Sequence, residues 1–156
     1  MHLQTLTTRI IWAIALCVAS VFYSGTAMAA EYDNVAIEDK QGPEFWLDQG
    51  GLFATYGNYT AAIEAYQKVL TLDPQNAEAC FDMGVAYGEL DEFDSALLHI
   101  NKAITLGPGQ GRYYYGRAWV YLISGHSDKA LDDFRKAAEM GDLDAIFYLD
   151  QAGLSR

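Results

Sequence analysis

Few side chains of this 156-residue chain have the type and spacing that catalysis requires. His99 and His126 are the histidines outside the first thirty residues, and neither has a Cys or a second His at metal-ligand spacing. No G-x-S-x-G, H-E-x-x-H or phosphate-loop sequence occurs. We therefore predict no catalytic residue, no metal site and no cofactor, and a chain that is not an enzyme.

One acidic cluster could in principle hold a cation. Four acids share a single predicted turn: Glu89, Asp91, Glu92 and Asp94. Carboxylate oxygens are the ligands that Ca²⁺ prefers, but the spacing of these acids does not match the twelve-residue calcium loop. No glycine lies among them to make the sharp turn of such a loop. The simpler interpretation is a solvated acidic turn.

Binding chemistry is better represented than catalysis, in one aromatic stripe. Tyr115, Trp119 and Ile123 recur at four-residue spacing, which places them on one face of a predicted helix. Aromatic side chains flanked by Arg112 have the usual composition of a protein–protein hot spot. Alternatively, residues 31–42 or a second copy of the chain cover the stripe, or the stripe is core. Both interpretations stay open on the sequence alone.

The segments that must position these residues repeat with a 34-residue period. Residues 77–108 align with residues 43–74 in one direction and with residues 111–142 in the other. Pro74 and Pro108 close the first two copies. The matched positions are Gly50/Gly84/Ala118, Phe53/Tyr87/Tyr121, Ala62/Ala96/Ala130, Ile63/Leu97/Leu131, Tyr66/Ile100/Phe134, Lys68/Lys102/Lys136 and Val69/Ala103/Ala137. This pattern of small, aromatic and alanine positions resembles the tetratricopeptide repeat.

The resemblance implies an all-α fold, a right-handed superhelical stack of antiparallel helix pairs. The domain would span 43–156, with repeats over 43–76, 77–110 and 111–144. The predicted helices cover 43–56, 60–72, 77–90, 94–106, 111–124 and 128–140. Gly50, Gly84 and Ala118 would lie where paired helices cross closely. Thr60, Asp94 and Asp128 are predicted N-caps of the second helices.

The last part of the chain predicts one more helix, over 142–152. In the 34-residue register Tyr148 matches Tyr114 and Ala152 matches Ala118, so this helix begins a fourth copy. The stretch KAAEMGDLDAIFYLDQAG also resembles Sel1-like repeats, a related helical-hairpin family. We predict a capping helix that covers the apolar end of the stack.

The resemblance further implies a concave groove lined by the first helix of each repeat. The groove positions are Glu44, Leu47, Asp48, Gly51, Ala54 and Thr55, then Glu78, Phe81, Asp82, Val85, Gly88 and Glu89, then Arg112, Tyr115, Gly116, Trp119, Leu122 and Ile123. We predict Tyr115, Trp119 and Phe81 as apolar anchors for a partner segment. The other predicted partner-binding residues are Glu78, Asp82 and Glu89, which would select basic character, with Val85, Arg112 and Ile123.

Relatives that grip the C-terminal carboxylate of chaperones present Lys and Asn near the fifth and ninth positions of the first repeat. This chain has Leu47 and Gly51 at those positions. The sequence therefore disfavours a carboxylate-gripping groove. Cys80, which aligns with Trp46 and Tyr114, is predicted to be a buried structural thiol.

The first thirty residues are typical of a secretory signal peptide. Arg9 is their one charge, the run 10–23 is apolar, and the Ala-Met-Ala-Ala sequence at 27–30 predicts cleavage after Ala29. Residues 1–29 are thus a predicted signal peptide and 30–42 an acidic, flexible leader. The alternative is an uncleaved membrane anchor, although a span needs about 20 apolar residues.

The charge of the chain restricts its partners. The formal net charge is −11, and it becomes −12 when Arg9 leaves with the signal peptide. Nucleic acids and anionic membranes bind basic patches, so we predict neither as a partner of the cleaved chain. Cys80 alone remains after cleavage, which excludes an intramolecular disulfide.

These observations predict an exported, periplasmic or secreted, non-enzymatic scaffold or adaptor. It would hold a segment of a protein partner in its groove. Two alternatives stay open: a membrane-anchored assembly factor with an uncleaved signal, and an accessory subunit of an envelope enzyme. The sequence names neither the partner nor the oligomeric state.

Overall fold

The computed structural model describes residues 41–154, so the predicted signal peptide and nearly all of the predicted leader lie outside the described residues. Within 41–154 the chain forms seven α-helices and no β-strand. In chain order they are α1 (Pro43–Thr55), α2 (Tyr59–Leu72), α3 (Ala77–Glu89), α4 (Phe93–Leu106), α5 (Gly111–Ile123), α6 (Ser127–Glu139) and α7 (Leu143–Gln151). None of these helices is both long and apolar enough to cross a membrane.

The helices form three pairs, α1–α2, α3–α4 and α5–α6, followed by α7. Each helix packs against its neighbour in the chain, and α3 also contacts α1 and α5. The predicted all-α helical-repeat solenoid is confirmed, and every predicted helix limit lies within one residue of the observed one. Because α1, α3 and α5 adjoin one another, the first helices of the repeats form one continuous inner face.

Small residues let the paired helices cross closely, as predicted. A Cβ atom added to Gly84 would lie 2.6 Å from Cγ1 of Ile100 and 3.0 Å from the carbonyl oxygen of Ala96. A Cβ on Gly50 would collide with the Tyr66 ring in the same way. A larger side chain at either position would therefore force the two helices of a repeat apart.

The core is continuous from one repeat to the next. Tyr66, Ile100 and Phe134 occupy the same repeat position, and each is at most 2% exposed. The core around Ile100 contains Cys80 from α3 and Val120 from α5, so one cluster spans two repeats. No repeat buries its apolar faces alone, and the stack is therefore stabilised by the contacts between neighbours.

The N-caps of the second helices differ from the prediction. Helices α2, α4 and α6 begin two residues after Gly57, Asp91 and Gly125, so Thr60, Asp94 and Asp128 lie inside the first turn. Their N-cap residues are Asn58, Glu92 and His126. Only Asn58 among these three makes a side-chain cap, accepting the Ala61 N–H at 3.3 Å. The first-turn acids instead face the positive end of the helix dipole.

Helix α7 does not follow the 34-residue period. The first helices begin at residues 43, 77, 111 and 143, so the third spacing is 32 residues. Gly141, at φ +85°, closes α6 with a short turn in which its N–H donates to the Ala138 carbonyl at 3.0 Å. The Asp142 N–H donates to the Ala137 carbonyl, also at 3.0 Å. This left-handed glycine turn replaces the longer proline-containing loops after α2 and α4.

The changed spacing corrects the predicted alignment of α7. Ala145, third in its helix, is buried like Ala79 and Tyr113, which are third in theirs. In this register Tyr148 aligns with Gly116 and Ala152 with Val120. The prediction that they match Tyr114 and Ala118 is wrong by two residues, because α6 is one residue shorter than α2 and α4 and the connection after it is also one residue shorter than theirs.

Candidate binding surface

The predicted partner-binding residues lie on two adjacent helices. Glu78, Phe81, Asp82, Val85 and Glu89 lie on α3. The remaining four, Arg112, Tyr115, Trp119 and Ile123, lie on α5. The structure therefore brings the two sets together on the inner face, but it gives them different environments.

Arg112 of α5 covers the α3 side of this face through contacts with three α3 side chains. Its Nη2 donates to Oδ1 of Asp82 at 2.9 Å, and its Nη1 donates to Oε1 of Glu78 at 3.3 Å. The guanidinium also lies over the Phe81 ring, 4.7 Å from the ring centre. Two of the acids predicted to select a basic partner are thus already paired within the chain.

Asp82 is the more enclosed of those two acids. Its side chain is 26% exposed, against 52% for Glu78. Burial raises the pKa of Asp82 to about 6, although the nearby Arg112 guanidinium acts to lower the pKa and Glu78 to raise it further. The loss of hydration destabilises the charged form of the carboxylate more than the ion pair with Arg112 stabilises it. Asp82 is therefore part of the packing of the α3–α5 junction.

Phe81 is buried and cannot act as the exposed anchor that the sequence predicts. It is 7% exposed and packs against the Tyr113 ring at 4.9 Å between ring centres. Gly116 provides the space, since a Cβ there would lie 2.5 Å from Cε2 of Phe81. Val85 is half-buried against the same core, which leaves the α3 side of the face without an accessible apolar anchor.

Glu89, at the end of α3, also has a partner within the chain. A hydrogen bond to the Glu89 carboxylate raises the pKa of the Tyr59 hydroxyl at the start of α2. The exposed acids of the inner face that remain lie on α1, where Glu44 and Asp48 are accessible. The acidic character predicted for the groove is thus concentrated toward the first repeat.

The α5 side of the face is more open. Trp119 is 39% exposed and Ile123 is 52% exposed. Trp119 makes edge-on contacts with three aromatic rings, at 6.2 Å to Tyr115, 5.9 Å to Phe134 and 5.8 Å to Tyr148. The Tyr148 ring in turn stacks on Phe134 at 4.1 Å. Trp119 is therefore partly covered by α7 and neither fully core nor fully free.

A cavity of about 320 Å³ opens beside this aromatic cluster. Its volume is at the lower end of the range for ligand pockets. The apolar part of its lining consists of Leu122, Ala130, Leu131, Phe134, Tyr148 and Leu154, and Ser127 and Asp128 complete it. Five of the eight lining residues belong to α6, so the recess lies mainly between α6 and α7, where it could take an apolar side chain.

Sequence reasoning missed Tyr148 as a member of this surface. The 34-residue register aligns Tyr148 with Tyr114, whereas the observed 32-residue spacing aligns it with the groove position Gly116. Gly141, inside the stretch that resembles a Sel1-like repeat, is the signal that could have shown the shorter connection. Period alone does not reveal the loss of one residue from α6 and one from the connection after it.

A second feature that the sequence did not predict fixes α5 in place. Arg117 forms a two-point ion pair with Asp133 of α6, with Nε–Oδ2 at 2.7 Å and Nη2–Oδ1 at 2.8 Å. Its Nη1 donates to Oδ1 of Asn101 on α4 at 2.6 Å. Asp133 is 8% exposed, so this pair is largely shielded from water. It joins three helices behind the aromatic surface.

The remaining candidates for chemistry are structural. Cys80 is fully buried, as predicted, and burial raises the pKa of its thiol. His99 is half-buried: its ring stacks on the Tyr87 ring, 5.4 Å between ring centres, and burial lowers the pKa of the imidazole. Across residues 41–154, no three His, Cys, Asp or Glu side chains are grouped so that they could hold a metal ion.

Comparison with known proteins agrees with this architecture. A family model described as TPR repeat matches residues 52–91, and one described as tetratricopeptide repeat matches residues 81–151. No curated protein sequence matches the chain.

Solved structures show the same fold. A crystal structure of MamA is 28% identical, with a TM-score of 0.65, and the match covers 80% of this chain and 76% of that one. The second TPR of Spaghetti (RPAP3), bound to the HSP90 peptide SRMEEVD, is 25% identical, with a TM-score of 0.61 over 67% of this chain and 97% of that one. The first TPR of the same protein, bound to the same peptide, is 23% identical with a TM-score of 0.65 over 71% of this chain and 90% of that one, and supports the fold. The chain belongs to the tetratricopeptide-repeat family.

Proposed function

We propose that this chain is a non-enzymatic adaptor that holds a segment of a partner protein on the α5–α7 side of its inner face. The observation that carries the proposal is the exposure of Trp119 and Ile123, at 39% and 52%, on a first helix of the stack. Large apolar and aromatic side chains that are partly exposed are the usual anchors of a protein interface. Tyr115 and Tyr148 support Trp119 from either side.

The family supports binding of this kind. The tetratricopeptide fold is typically an interaction module, and the two Spaghetti domains were solved with a bound peptide. That peptide, SRMEEVD, carries three acids and one base. The present chain has a net charge of −11, so a segment of that charge would be repelled. We infer a different partner, with apolar side chains for the α5–α7 end and basic ones for Glu44 and Asp48.

Arg112 reduces the selectivity for basic side chains that the sequence predicts for the middle of the groove. Its two ion pairs occupy Glu78 and Asp82, so a basic side chain of a partner would have to displace it. Displacement would also uncover Phe81, which lies beneath the guanidinium. We therefore propose that the middle of the inner face matches the partner in shape only. The acids of α1 at one end and the apolar side chains of α5–α7 at the other provide the binding affinity.

We further propose that the adaptor works outside the cytoplasm. The support is the sequence of residues 1–29, which is typical of a cleaved secretory signal. The alternative of a retained anchor predicts a different mature mass. Intact mass spectrometry of the protein from its host distinguishes a chain that begins at Ala30 from one that begins at Met1.

The adaptor proposal is tested by cross-linked capture from the exported fraction, with three baits: wild type, Ile123→Ser and Leu98→Ser. Leu98 is 67% exposed and lies on α4, a second helix, so it is a control of matched chemistry. We expect a protein that the wild type and Leu98→Ser capture and that Ile123→Ser loses. Equal capture by all three baits would contradict the proposal.

A further inference from the structure

Helix α5 carries large apolar side chains around most of its circumference. Tyr113 and Val120 are buried, while Trp119 and Ile123 are 39% and 52% exposed. Four further apolar residues of the helix are half-buried: Tyr114, Tyr115, Tyr121 and Leu122. Because apolar burial is non-directional, a rotated α5 would bury a different set of these side chains with a similar gain. Apolar packing alone therefore does not decide which side chains of α5 lie on the inner face.

Arg117 makes the directional contact that the apolar side chains lack. It is two residues from both Tyr115 and Trp119, so at about 100° per residue it lies on the opposite side of α5 from the aromatic stripe. Its guanidinium donates to both carboxylate oxygens of Asp133 on α6 and to the amide oxygen of Asn101 on α4, at 2.6 to 2.8 Å. The planar guanidinium fixes the direction of these three hydrogen bonds. Because they reach two different helices, they oppose rotation of α5 about its own axis.

The same part of α6 also touches the aromatic stripe. Phe134 follows Asp133 in the chain, and its ring centre lies 5.9 Å from that of Trp119 and 5.7 Å from that of Tyr115. Phe134 is 1% exposed, so these ring contacts lie against the core. Helix α6 thus holds α5 from two sides, through the ion pair behind the helix and through Phe134 beside the stripe. A change in the ion pair therefore alters the surroundings of Trp119.

The ion pair is not required for packing at these repeat positions. Where the third repeat has Arg117 and Asp133, the other two repeats have Met83 with His99 and Gln49 with Ala65. Met83 is 2% exposed, so an apolar side chain fills the position of Arg117 in the second repeat. A largely buried ion pair is often no more stabilising than apolar residues of similar volume, because both charges lose hydration. What the ion pair adds in the third repeat is a fixed orientation.

We propose that Arg117, through Asp133 and Asn101, fixes the rotation of α5 and so presents the aromatic stripe on the inner face. Arg117 is then a positioning residue, which acts on a partner only through Trp119 and Ile123. Without the ion pair, α5 would turn to bury more of Trp119, because this is the largest apolar side chain on the helix. The importance of Arg117 for a partner rests on the adaptor proposal, whereas its effect on Trp119 does not.

The test follows the exposure of Trp119 by acrylamide quenching of its fluorescence, well below the melting temperature. The chain has three tryptophans, so the background protein carries Trp12→Phe and Trp46→Phe. In this background, Arg117→Met/Asp133→Leu removes the ion pair and leaves no unpaired buried charge. We expect its quenching constant to fall at least twofold, because Trp119 becomes more buried. We expect its melting temperature to stay within about 5 °C of that of the background protein, since the ion pair sets orientation and not stability.

Two further variants separate orientation from loss of charge. Lys136→Met/Glu139→Leu is the matched control, because it makes the same replacement at an exposed ion pair of α6, 3.6 Å long, and should leave the quenching constant unchanged. Arg117→Lys keeps the positive charge but loses the two-point contact with Asp133, so its quenching constant should lie between those of the background protein and the double variant.

Three results would overturn the proposal. One is a quenching constant of Arg117→Met/Asp133→Leu that equals or exceeds that of the background protein. Another is an equal fall in the Lys136→Met/Glu139→Leu control. The third is an unchanged quenching constant in Arg117→Lys, and this variant decides the matter if the double variant does not fold.

Cross-linked capture with the same variants distinguishes this inference from the adaptor proposal. We expect Arg117→Met/Asp133→Leu to lose the partner that wild type and the Lys136→Met/Glu139→Leu control capture. If quenching of Trp119 falls in the double variant but capture is unchanged, Arg117 positions α5 as proposed and the adaptor proposal is wrong about the aromatic stripe. If capture is lost while quenching is unchanged, the positioning role of Arg117 is wrong and the adaptor proposal is unaffected.

Discussion

The inner face has two junctions between first helices, α3–α5 and α5–α7, which use the same repeat positions but differ in how tightly they pack. We call the tightly packed α3–α5 junction the closed half and the α5–α7 junction the open half. Between α3 and α5, the large Phe81 lies opposite Gly116, and Arg112 covers the pair. Between α5 and α7, the aligned positions hold Tyr115 and Tyr148, both large, and Trp119 is left 39% exposed. A large residue opposite a glycine gives a packed junction, whereas two large residues leave an open one. We therefore assign the proposed binding to the open half.

The largest expected effect comes from a matched pair of phenylalanines. Phe81→Ala should cost about 3–4 kcal/mol of unfolding free energy, because it empties a buried site in the closed half. Phe147→Ala, at the aligned position of α7, should change stability by less than about 0.5 kcal/mol, because that side chain is 66% exposed. Chemical denaturation of both variants measures the difference. Similar losses would mean that α7 is covered and that the 32-residue alignment is wrong.

The glycine opposite Phe81 gives the next effect. Gly116→Ala should destabilise by about 1–3 kcal/mol, because the new Cβ would lie 2.5 Å from the Phe81 ring. Gly51→Ala is the control: it has no atom within 4 Å of the added Cβ and should gain up to about 1 kcal/mol of helix propensity. A Gly116→Ala protein as stable as the control would show that the closed half is loosely packed.

Asp82 makes the closed half sensitive to pH. Its pKa is raised from 3.8 to about 6 in the folded state, so the folded protein holds this proton more tightly than the unfolded chain does. The contribution of Asp82 to stability is therefore greatest below about pH 4 and falls as the pH rises to about 6. The loss should be about 2 kcal/mol, reduced from the full shift because the side chain is partly exposed.

The measurement is the unfolding free energy of wild type and Asp82→Asn at several pH values between about 4 and 7. We expect the stability of wild type to fall relative to that of the variant as the pH rises, since the amide does not ionise. A constant difference across this range would contradict the buried position of the carboxylate.

The smallest expected effect is on stability in the open half. Ile123→Ser should change the unfolding free energy by less than about 0.5 kcal/mol, because the side chain is 52% exposed. The same change at Val85, half-buried in the closed half, should cost about 1–2 kcal/mol. Thermal melting of the two variants compares them, and a large loss at Ile123 would place it in the core.

The repeat pattern predicted most of the fold because packing repeats with the sequence. The close crossings at Gly50 and Gly84 follow from residue size at fixed spacing, and the helix limits follow from the turns between them. The shorter third repeat was not predicted, because a period averaged over three copies conceals the loss of one residue from α6 and one from the connection after it. The N-caps were missed because Thr and Asp suit both the cap and the first turn.

The site was predicted less well, since it depends on pairs of side chains and not on single positions. Arg112 and Glu78 are 34 residues apart, so their opposite charges at the same repeat position could have indicated the ion pair. Arg117 and Asp133 are 16 residues apart and occupy positions outside the repeat signature. A groove residue that pairs with another residue of the chain is no longer accessible to a partner. The repeat position of a residue does not show whether it is paired in this way.

The most direct test of the central claim is hydrogen–deuterium exchange of the protein with and without a captured partner. We predict that binding slows exchange in peptides covering α5 and α7 (111–123 and 143–151), where the open half lies, and leaves exchange in α3 (77–89) unchanged. Protection confined to α3, with α5 and α7 unaffected, would contradict the assignment of binding to the open half of the inner face.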